Sequence, residues 1–406
     1  MKTKSDQLFE YFLQYSDFYR LPIIVDDGCD VFPTLFEKMD RYLELIRDND
    51  YLKENFYTAQ NIVNRMKEAI DAYWKGKFLI ANQKIKLILN DTKKLGSKLI
   101  ISTLDECLFD DEKKQLYKAR IGGFDSYQEY QMFHIPFNKR GLVQNQRYSI
   151  NGMPCLYLGT STYVCWEELE RPDFNSFWIS RFEVINENLK ILNLSYTIQD
   201  ICGLMNSSRT DTEKEKFIVD YILYWILLCA CSFHVKNNNR VFREEYIVPQ
   251  LIMQNIRESD IDGIMYFSVR GTYDDNYSSL IMKNFAFPAD DYDVFCDDDN
   301  TKFDHKKYVD YALSTKLKRS FALTAPLNMG MIRVAESNNA MGRASRKTKY
   351  YNEAISKGAT ANLPQINIYR TGSSIKLSEK YYLRYEFTNF YEIEVALGLM
   401  FTNILP

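Results

Sequence analysis

The chain of 406 residues is 46% hydrophobic, so it can bury a sizeable core and is too long for one small domain. With 51 Lys and Arg against 54 Asp and Glu, its formal net charge is -3, which excludes the strongly basic character of a typical nucleic-acid-binding domain. The eight cysteines form no CxxC pair and there are three histidines, so the sequence favours reduced, buried thiols in a cytoplasmic protein over a zinc site or a disulfide framework.

The first hundred residues predict a helical unit. Residues 1–12 lack the apolar core and cleavage site of a secretory signal, so secretion is not expected. Between positions 35 and 95 the apolar residues recur at helical intervals, as in Leu35, Met39 and Ile46. We therefore predict a helical domain over residues 1–98.

From Leu99 the pattern changes to short apolar runs separated by Gly, Asn and Pro, which are typical of strands. Helices intervene, because Ser161 or Thr162 can cap one helix and Thr212 can cap another. The mixture predicts an α+β domain over residues 99–329.

The apolar run at residues 221–233 is about 13 residues long, whereas a membrane span needs roughly 20, so we predict a helix buried on all sides. Residues 244–256 predict a further helix that Pro249 should kink or delay. Residues 261–268 and 277–287 read as strands.

The remaining carboxy-terminal sequence is mostly polar. Residues 290–304 are rich in Asp and predict a surface loop, and an exposed connector follows Pro326 within a carboxy-terminal extension over residues 330–406. A solvated linker is the preferred interpretation of the basic cluster in this connector, with nucleic-acid contact as the alternative. The cluster comprises Arg343, Arg346, Lys347 and Lys349.

Residues 133–169 carry the side chains best suited to an anionic ligand. Arg140 and Arg147 are permanently charged forks that match a pyrophosphate, and Tyr157 on a predicted strand offers a ring and a hydroxyl. No GxxxxGK[ST] or GxGxxG motif is present, so a dinucleotide would have to be held by side chains and not by a glycine loop. Taken singly, each residue also fits a surface ion pair or a strand core.

The adjacent Glu167 and Glu168 suit a reaction that develops positive charge. When the bond between nicotinamide and ribose breaks, the ribose becomes oxocarbenium-like, and a nearby carboxylate stabilises it. On a helix the two side chains diverge by about 100°, so one faces a pocket while the other points elsewhere. Taken alone, such a pair is more typical of a helix surface.

Three motifs in order resemble the RES domain family, in a longer branch with extra terminal regions. They are LYKARIG at 116–122, FHIPFNKRG to CWEEL at 133–169, and IDGIMYFSVR at 261–270. With the segment SFHVKNNNRVFREEYIVPQLIMQNI, the similarity covers about residues 116–326. The best-known members of this family are bacterial toxins that consume NAD by phosphorolysis or hydrolysis, with a fold related to ADP-ribosyltransferases.

The resemblance assigns the family arginine to Arg147, the tyrosine to Tyr157 and the serine to Ser268. The family glutamate matches Glu168, or Glu167 with a shift of one position. Arg147 would hold the pyrophosphate, Tyr157 would position a ribose or ring, Glu168 would stabilise the oxocarbenium, and Ser268 would orient the ribose or the nucleophile.

Two further arginines belong to the implied binding site. Arg120 matches an arginine near the first strand, and Arg140 belongs to the longer form of the second motif. Either one would hold the pyrophosphate together with Arg147. Gln146 stands where toxin members commonly carry a glycine.

The resemblance therefore implies an ADP-ribosyltransferase-like split β-sheet catalytic domain with an amino-terminal helical domain. The expected activity is cleavage of NAD, as substrate and not cofactor, by inorganic phosphate or water, in a cytoplasmic toxin or phage-defence effector. The alternatives are an ADP-ribosyltransferase acting on a protein or nucleic acid, and an inactive nucleotide-binding module. An antitoxin, a sensor protein or a second copy of the chain are the partners left open, with neither membrane nor metal expected.

Overall fold

The computed structural model describes residues 2–26, 31–94, 101–108, 114–123, 127–236, 240–270, 279–289, 313–330, 374–378, 381–385 and 388–405. The predicted Asp-rich loop at 290–304 and the basic cluster beginning at Arg343 lie outside these ranges. The predicted boundary between residues 98 and 99 lies outside them too, so the domain division stays a prediction.

The amino-terminal part is helical where periodic apolar residues predict helices. Met39 and Ile46 are fully buried on one face of their helix, as the spacing indicates. The helices are α1 Lys4–Gln14, α2 Ser16–Tyr19, α3 Val31–Arg47, α4 Phe56–Trp74 and α5 Phe78–Lys94, with a 3-10 turn at Lys53–Asn55.

Seven further α-helices are described along the rest of the chain, and short 3-10 helices lie between them. The α-helices are α6 Leu104–Leu108, α7 Thr162–Glu168, α8 Ile198–Met205, α9 Asp211–Cys231, α10 Ile247–Arg257, α11 Thr315–Ser320 and α12 Asn389–Gly398. The 3-10 helices are Glu129–Met132, Phe137–Leu142, Phe174–Ser176, Glu244–Tyr246 and Ser279–Met282.

The helix starts test three sequence predictions. Ser161 caps α7, as predicted, by accepting a hydrogen bond from the Val164 N–H at 3.0 Å. The predicted cap at Thr212 is wrong, because Thr210 begins α9 with a capping box that includes Glu213. Pro249 delays its helix as predicted: it lies in the first turn of α10, where a missing N–H costs nothing.

The strands build one large mixed sheet, so the chain is α+β. The described strands are β1 Ile23–Val25, β2 Ile101–Thr103, β3 Gln115–Ile121, β4 Cys155–Gly159, β5 Phe177–Val184, β6 Lys190–Leu194, β7 Phe233–Val235, β8 Gly263–Phe267, β9 Lys283–Pro288, β10 Phe321–Thr324, β11 Leu327–Asn328, β12 Ser374–Ser378, β13 Tyr381–Arg384 and β14 Thr402–Asn403.

The large sheet has ten strands in the order β14-β10-β5-β3-β4-β9-β8-β6-β2, with β11 also paired to β5. Its ladders are antiparallel except for β6 and β8, which are parallel. Separately, β1 pairs in parallel with β7, and β12 pairs with β13.

Strands β3 and β4 separate almost as soon as they meet. They pair at one position, Tyr117 with Gly159, whereas β3 and β5 are paired at seven positions and β4 and β9 at five. Beyond this pair, the edges of β3 and β4 diverge instead of continuing the ladder. The sheet is therefore split in its middle.

The apolar segment at 221–233 is confirmed as a buried helix, since α9 is buried on all sides over its last turns. Helices α1, α3 and α4 pack against it, and its core cluster also contains residues of β6 and β8. The Trp225 indole donates to the Tyr19 carbonyl at 3.1 Å, and the Tyr42 hydroxyl donates to the Leu223 carbonyl at 3.3 Å. The amino-terminal helices thus share one core with the sheet.

Within the described ranges, each helix is either too short or too polar to cross a lipid bilayer.

Replacing Leu228 in α9 with Ala should destabilise the whole chain, because Leu228 is 0% exposed inside the shared core. We expect a loss of about 2 to 5 kcal/mol in the free energy of unfolding, measured with urea. The matched control is Leu79→Ala on α5, where the side chain is 72% exposed, with an expected change within about 0.5 kcal/mol. Equal losses in the two variants would contradict the burial of α9.

Candidate active site

A cavity of about 700 Å³ opens at the split between β3 and β4. The helix α7, the ends of β8 and β9, the loop before β4 and the 3-10 helix Glu244–Tyr246 complete its wall. Cationic side chains outnumber carboxylates in this wall, so the cavity is suited to an anionic ligand of dinucleotide size. The cationic residues are Arg120, Arg147, Arg243 and Arg270, and the carboxylates are Glu168 and Glu245.

The turn from β4 into α7 places Glu168 at the cavity. A Cβ atom on Gly159 would lie 2.6 Å from a Val164 methyl and 2.8 Å from the Cys165 sulfur, so the turn needs a glycine. The Ser161 hydroxyl then caps α7 and donates to the Ile281 carbonyl at 2.6 Å. These contacts fix the direction in which α7 leaves the sheet.

The structure distinguishes the two adjacent glutamates. The Glu168 carboxylate lines the cavity, accepts from the Asn284 amide at 2.8 Å and lies 3.7 Å from the Arg270 guanidinium. Glu167 is 3% exposed, lies outside the cavity wall and accepts from the Arg171 guanidinium at 2.9 Å. The expected divergence of the pair therefore leaves Glu168 as the carboxylate that faces a ligand.

Arg147 lines the cavity, but much of its guanidinium is occupied by the protein itself. It donates to the Cys231 carbonyl at 2.9 Å and to the Phe233 carbonyl at 2.8 Å, and it stacks over the Tyr246 ring at 5.2 Å. Arg243 lies over the same ring at 5.3 Å and donates to its hydroxyl at 2.7 Å. Arg147 therefore joins the end of α9 and β7 to the cavity wall. Its remaining N–H groups can donate hydrogen bonds to a ligand.

One N–H group of Arg120 makes no hydrogen bond within the described structure. Its Nη2 donates to the Phe133 carbonyl at 3.1 Å, while its buried Nε has no hydrogen-bond partner within the described structure. An unsatisfied buried donor on a cationic group is costly unless an acceptor arrives. Since Arg120 lines the cavity, an anionic ligand is the acceptor that the geometry accommodates.

Tyr157 lines the cavity from β4, and its hydroxyl lies 2.8 Å from the Ser149 hydroxyl. Burial raises the pKa of Tyr157 well above its ordinary value, so the phenol remains neutral. The loop carrying Ser149 is held by Gln250 of α10, whose amide donates to the Asn145 side chain at 2.5 Å and to the Gln146 carbonyl at 2.9 Å. Gln250 thus positions the wall next to Tyr157.

Lys118 is the cavity residue that the sequence analysis missed and that has the most unusual environment. Its Nζ bridges the split by donating to the Tyr157 carbonyl at 3.3 Å. Burial, with a smaller contribution from the Arg120 charge, lowers the pKa of Lys118 to about 7. Its position two residues before Arg120 on a predicted strand, and hence on the same face, was the available signal.

Two other predicted site residues do not line the cavity. Ser268 is fully buried, and its hydroxyl accepts from the Arg270 backbone N–H at 3.2 Å, so it supports the turn that brings Arg270 to Glu168. Arg140 donates to the Phe137 carbonyl at 3.3 Å within its own 3-10 helix. Direct ligand contact by either residue stays a prediction.

Several other residues of the wall were not singled out from the sequence. Arg243 and Tyr246 lie between β7 and α10. Arg270 follows β8, and Asn284 lies on β9. Arg243, Tyr246 and Arg270 lie within the segments that carry the family resemblance, but the resemblance assigned none of them a role.

The chain is similar to a bacterial protein over part of its length. The chain is 35% identical over 180 residues to a protein named "Putative toxin YopC" from Bacillus subtilis (strain 168), a match that covers 43% of this chain and 41% of that protein. The chain thus covers less than half of the length of this relative. No family model matches the chain, and no solved structure matches it.

Replacing Arg147 with Lys should reduce stability, because an ammonium cannot reproduce a guanidinium that reaches two carbonyls at once. We expect a loss of about 1 to 3 kcal/mol in the free energy of unfolding, measured with urea. Arg140→Lys is the matched control, with a change within about 0.5 kcal/mol, since the hydrogen bond from Arg140 to the Phe137 carbonyl lies within its own turn. An Arg147→Lys variant as stable as the parent would contradict the anchoring role.

Proposed function

We propose that the chain is an NAD-degrading enzyme of the RES domain type, which cleaves the bond between nicotinamide and ribose. The observation that carries this proposal is the placement of Glu168, one carboxylate held by Asn284 and Arg270, in a cavity otherwise rich in cationic side chains. The cations suit the pyrophosphate of a dinucleotide, and the carboxylate suits the positive charge that develops on its ribose.

The proposed reaction uses the residues as follows. As the bond between the ribose C1′ and the nicotinamide nitrogen breaks, its electron pair moves to the ring nitrogen and neutralises the pyridinium. The fixed Glu168 carboxylate stabilises the oxocarbenium that remains. Arg120, with its unpartnered Nε, and Arg243 supply charge for the pyrophosphate. A nucleophile, inorganic phosphate or water, then bonds to C1′.

The aromatic wall supports the same assignment. Tyr157 and Tyr266 line the cavity and offer aromatic surface to a base or to nicotinamide, whereas the ring of Tyr246 lies under Arg147 and Arg243. Tyr157 remains a neutral phenol that can hydrogen-bond a ribose hydroxyl. Arg147, which uses two donors for backbone carbonyls, acts mainly by positioning this wall in the proposal.

The split of the sheet at β3 and β4 is what an ADP-ribosyltransferase-like catalytic domain would require, and we include that fold in the proposal. The name of the relative, a toxin, supports a role as a toxin or defence effector acting on cytoplasmic NAD. A toxin of this kind would need an antitoxin or another form of control as a partner.

Glu168→Gln should lower the rate of nicotinamide release from NAD by about 10²-fold to 10³-fold, because a neutral amide no longer stabilises the oxocarbenium. The rate is measured with purified protein by chromatography of free nicotinamide. Glu167→Gln, one residue away and directed to Arg171, is the matched comparison and should lose much less activity.

A larger loss in Glu167→Gln than in Glu168→Gln would contradict the assignment of the carboxylate. Absence of nicotinamide release by the parent protein would rule out the proposed reaction. Labelled ADP-ribose retained on a protein or nucleic acid would instead select a transferase.

A further inference from the structure

Lys118 is half-buried in the cavity wall, and within the described structure it lacks the ion-pair partner that such a lysine usually has. Its one hydrogen bond in the described structure goes to the Tyr157 carbonyl at 3.3 Å, and no carboxylate lies within ion-pair distance of its Nζ there. A charged ammonium in such a place would be poorly compensated. Its pKa of about 7, lowered by burial and then by Arg120, fits this environment.

The strands beside Lys118 offer little charge to hold its proton. On β3 itself the nearby charge is the Arg120 guanidinium, which repels an ammonium. On β4 the nearby groups are the Cys155 thiol and the Tyr157 phenol, and burial keeps the phenol neutral. The β5 residue paired with Lys118 is Ser180, which carries no charge.

The helix that packs over this strand adds one thiol and one carboxylate. Burial raises the pKa of Cys165 to about 12, so this thiol stays protonated and neutral. Glu168 is already bonded to Asn284 and faces Arg270 at 3.7 Å. The Glu168 carboxylate is therefore bound by other residues and does not form an ion pair with the Lys118 amine.

The more distant charges of the cavity wall are mostly cationic. They are the guanidinium groups of Arg147, Arg243 and Arg270, with Glu245 as the remaining carboxylate. Burial and the neighbouring arginines lower the pKa of His234, which therefore adds no positive charge at neutral pH. This excess again favours the neutral form of an amine over the ammonium. A neutral amine is a proton acceptor and no longer an anion-binding group.

We propose that Lys118 is the proton acceptor for the water that enters the reaction, an inference that rests on the proposed cleavage of NAD. At the split of the sheet, its Nζ donates to the Tyr157 carbonyl at 3.3 Å, in the same cavity wall that contains Glu168. The cations needed for the pyrophosphate are supplied by arginines, which cannot accept protons at neutral pH. Lys118 and Glu168 thus have separate tasks.

The proton and electron changes of this step balance. The water oxygen forms a bond to the ribose C1′ while the bond from C1′ to the nicotinamide nitrogen breaks, and the leaving nicotinamide keeps the electron pair. One water proton moves to the lone pair of the Lys118 Nζ. The products are ADP-ribose, neutral nicotinamide and a lysine ammonium, which returns its proton to solvent.

The first test is the pH dependence of nicotinamide release. In the parent protein the rate should rise about tenfold between pH 6 and pH 8, because Lys118 becomes neutral as the pH passes about 7. Lys118→Met should lower the rate at pH 8 by about 10²-fold to 10⁴-fold and remove the rise. Lys53→Met, an exposed lysine of the amino-terminal helices, is the control and should keep the parent profile.

Two further experiments distinguish a role of Lys118 in proton transfer from a role as a positive charge. Lys118→Arg retains a cation that cannot accept a proton, so it should be as impaired as Lys118→Met. Azide, an anionic nucleophile with no proton to lose, should restore nicotinamide release in Lys118→Met through formation of ADP-ribosyl azide. Full activity in Lys118→Arg, or a parent pH profile in Lys118→Met, would overturn the proposal.

A measurement without NAD keeps the two proposals distinguishable. The rate of acylation of Lys118, followed by mass spectrometry against pH, should rise through about pH 7 in the parent protein. A Lys118 that stays unreactive up to pH 9 while exposed lysines react overturns this inference and leaves the cleavage of NAD standing. A parent that releases no nicotinamide overturns both, and a main product of ADP-ribose 1″-phosphate would overturn water as the nucleophile.

Discussion

The single residue pair between Tyr117 and Gly159 is the constraint on which the site depends. Because β3 and β4 join there and then part, a cleft opens inside the sheet, and both strand edges become walls that carry side chains. Gly159 has a second task, since the absence of a side chain lets the chain turn sharply into α7. Gly159 therefore marks the point at which the two strands part, and it also sets the direction of the helix that ends at Glu168.

The core reaches the cleft through α9. A helix that is apolar on every face must be covered on every face, and here the amino-terminal helices and the sheet cover it together. Its last turn ends at Cys231, whose carbonyl would lack an intrahelical partner and is taken by Arg147. The stability of the core and the shape of the cavity wall are thus linked through one guanidinium.

The positive charge of the cavity acts in opposite ways on an anionic ligand and on the amine of Lys118. Clustered guanidinium groups attract an anionic ligand, and they also disfavour a proton on a neighbouring amine. Glu168 is oriented by the Asn284 amide and the Arg270 guanidinium. Electrostatics of this kind need no motif, since they arise when distant segments pack together.

Local patterns in the sequence determined the helices of the first part, the buried run that became α9, the delayed start at Pro249 and the cap at Ser161. They also identified the segment that carries Tyr157 and Glu168, because these features depend on neighbours within a few residues. Even so, the cap predicted at Thr212 lies at Thr210, because a threonine caps a helix only where the first turn begins.

Tertiary packing alone decided which glutamate faces the cavity, where the guanidinium of Arg147 is bound, and that Ser268 supports a turn. It also brought Arg243, Asn284 and Lys118 to one cavity from separate segments. Periodicity and spacing describe one segment at a time, whereas burial, the pKa of a lysine and the meeting of distant side chains depend on how the whole sheet splits and packs.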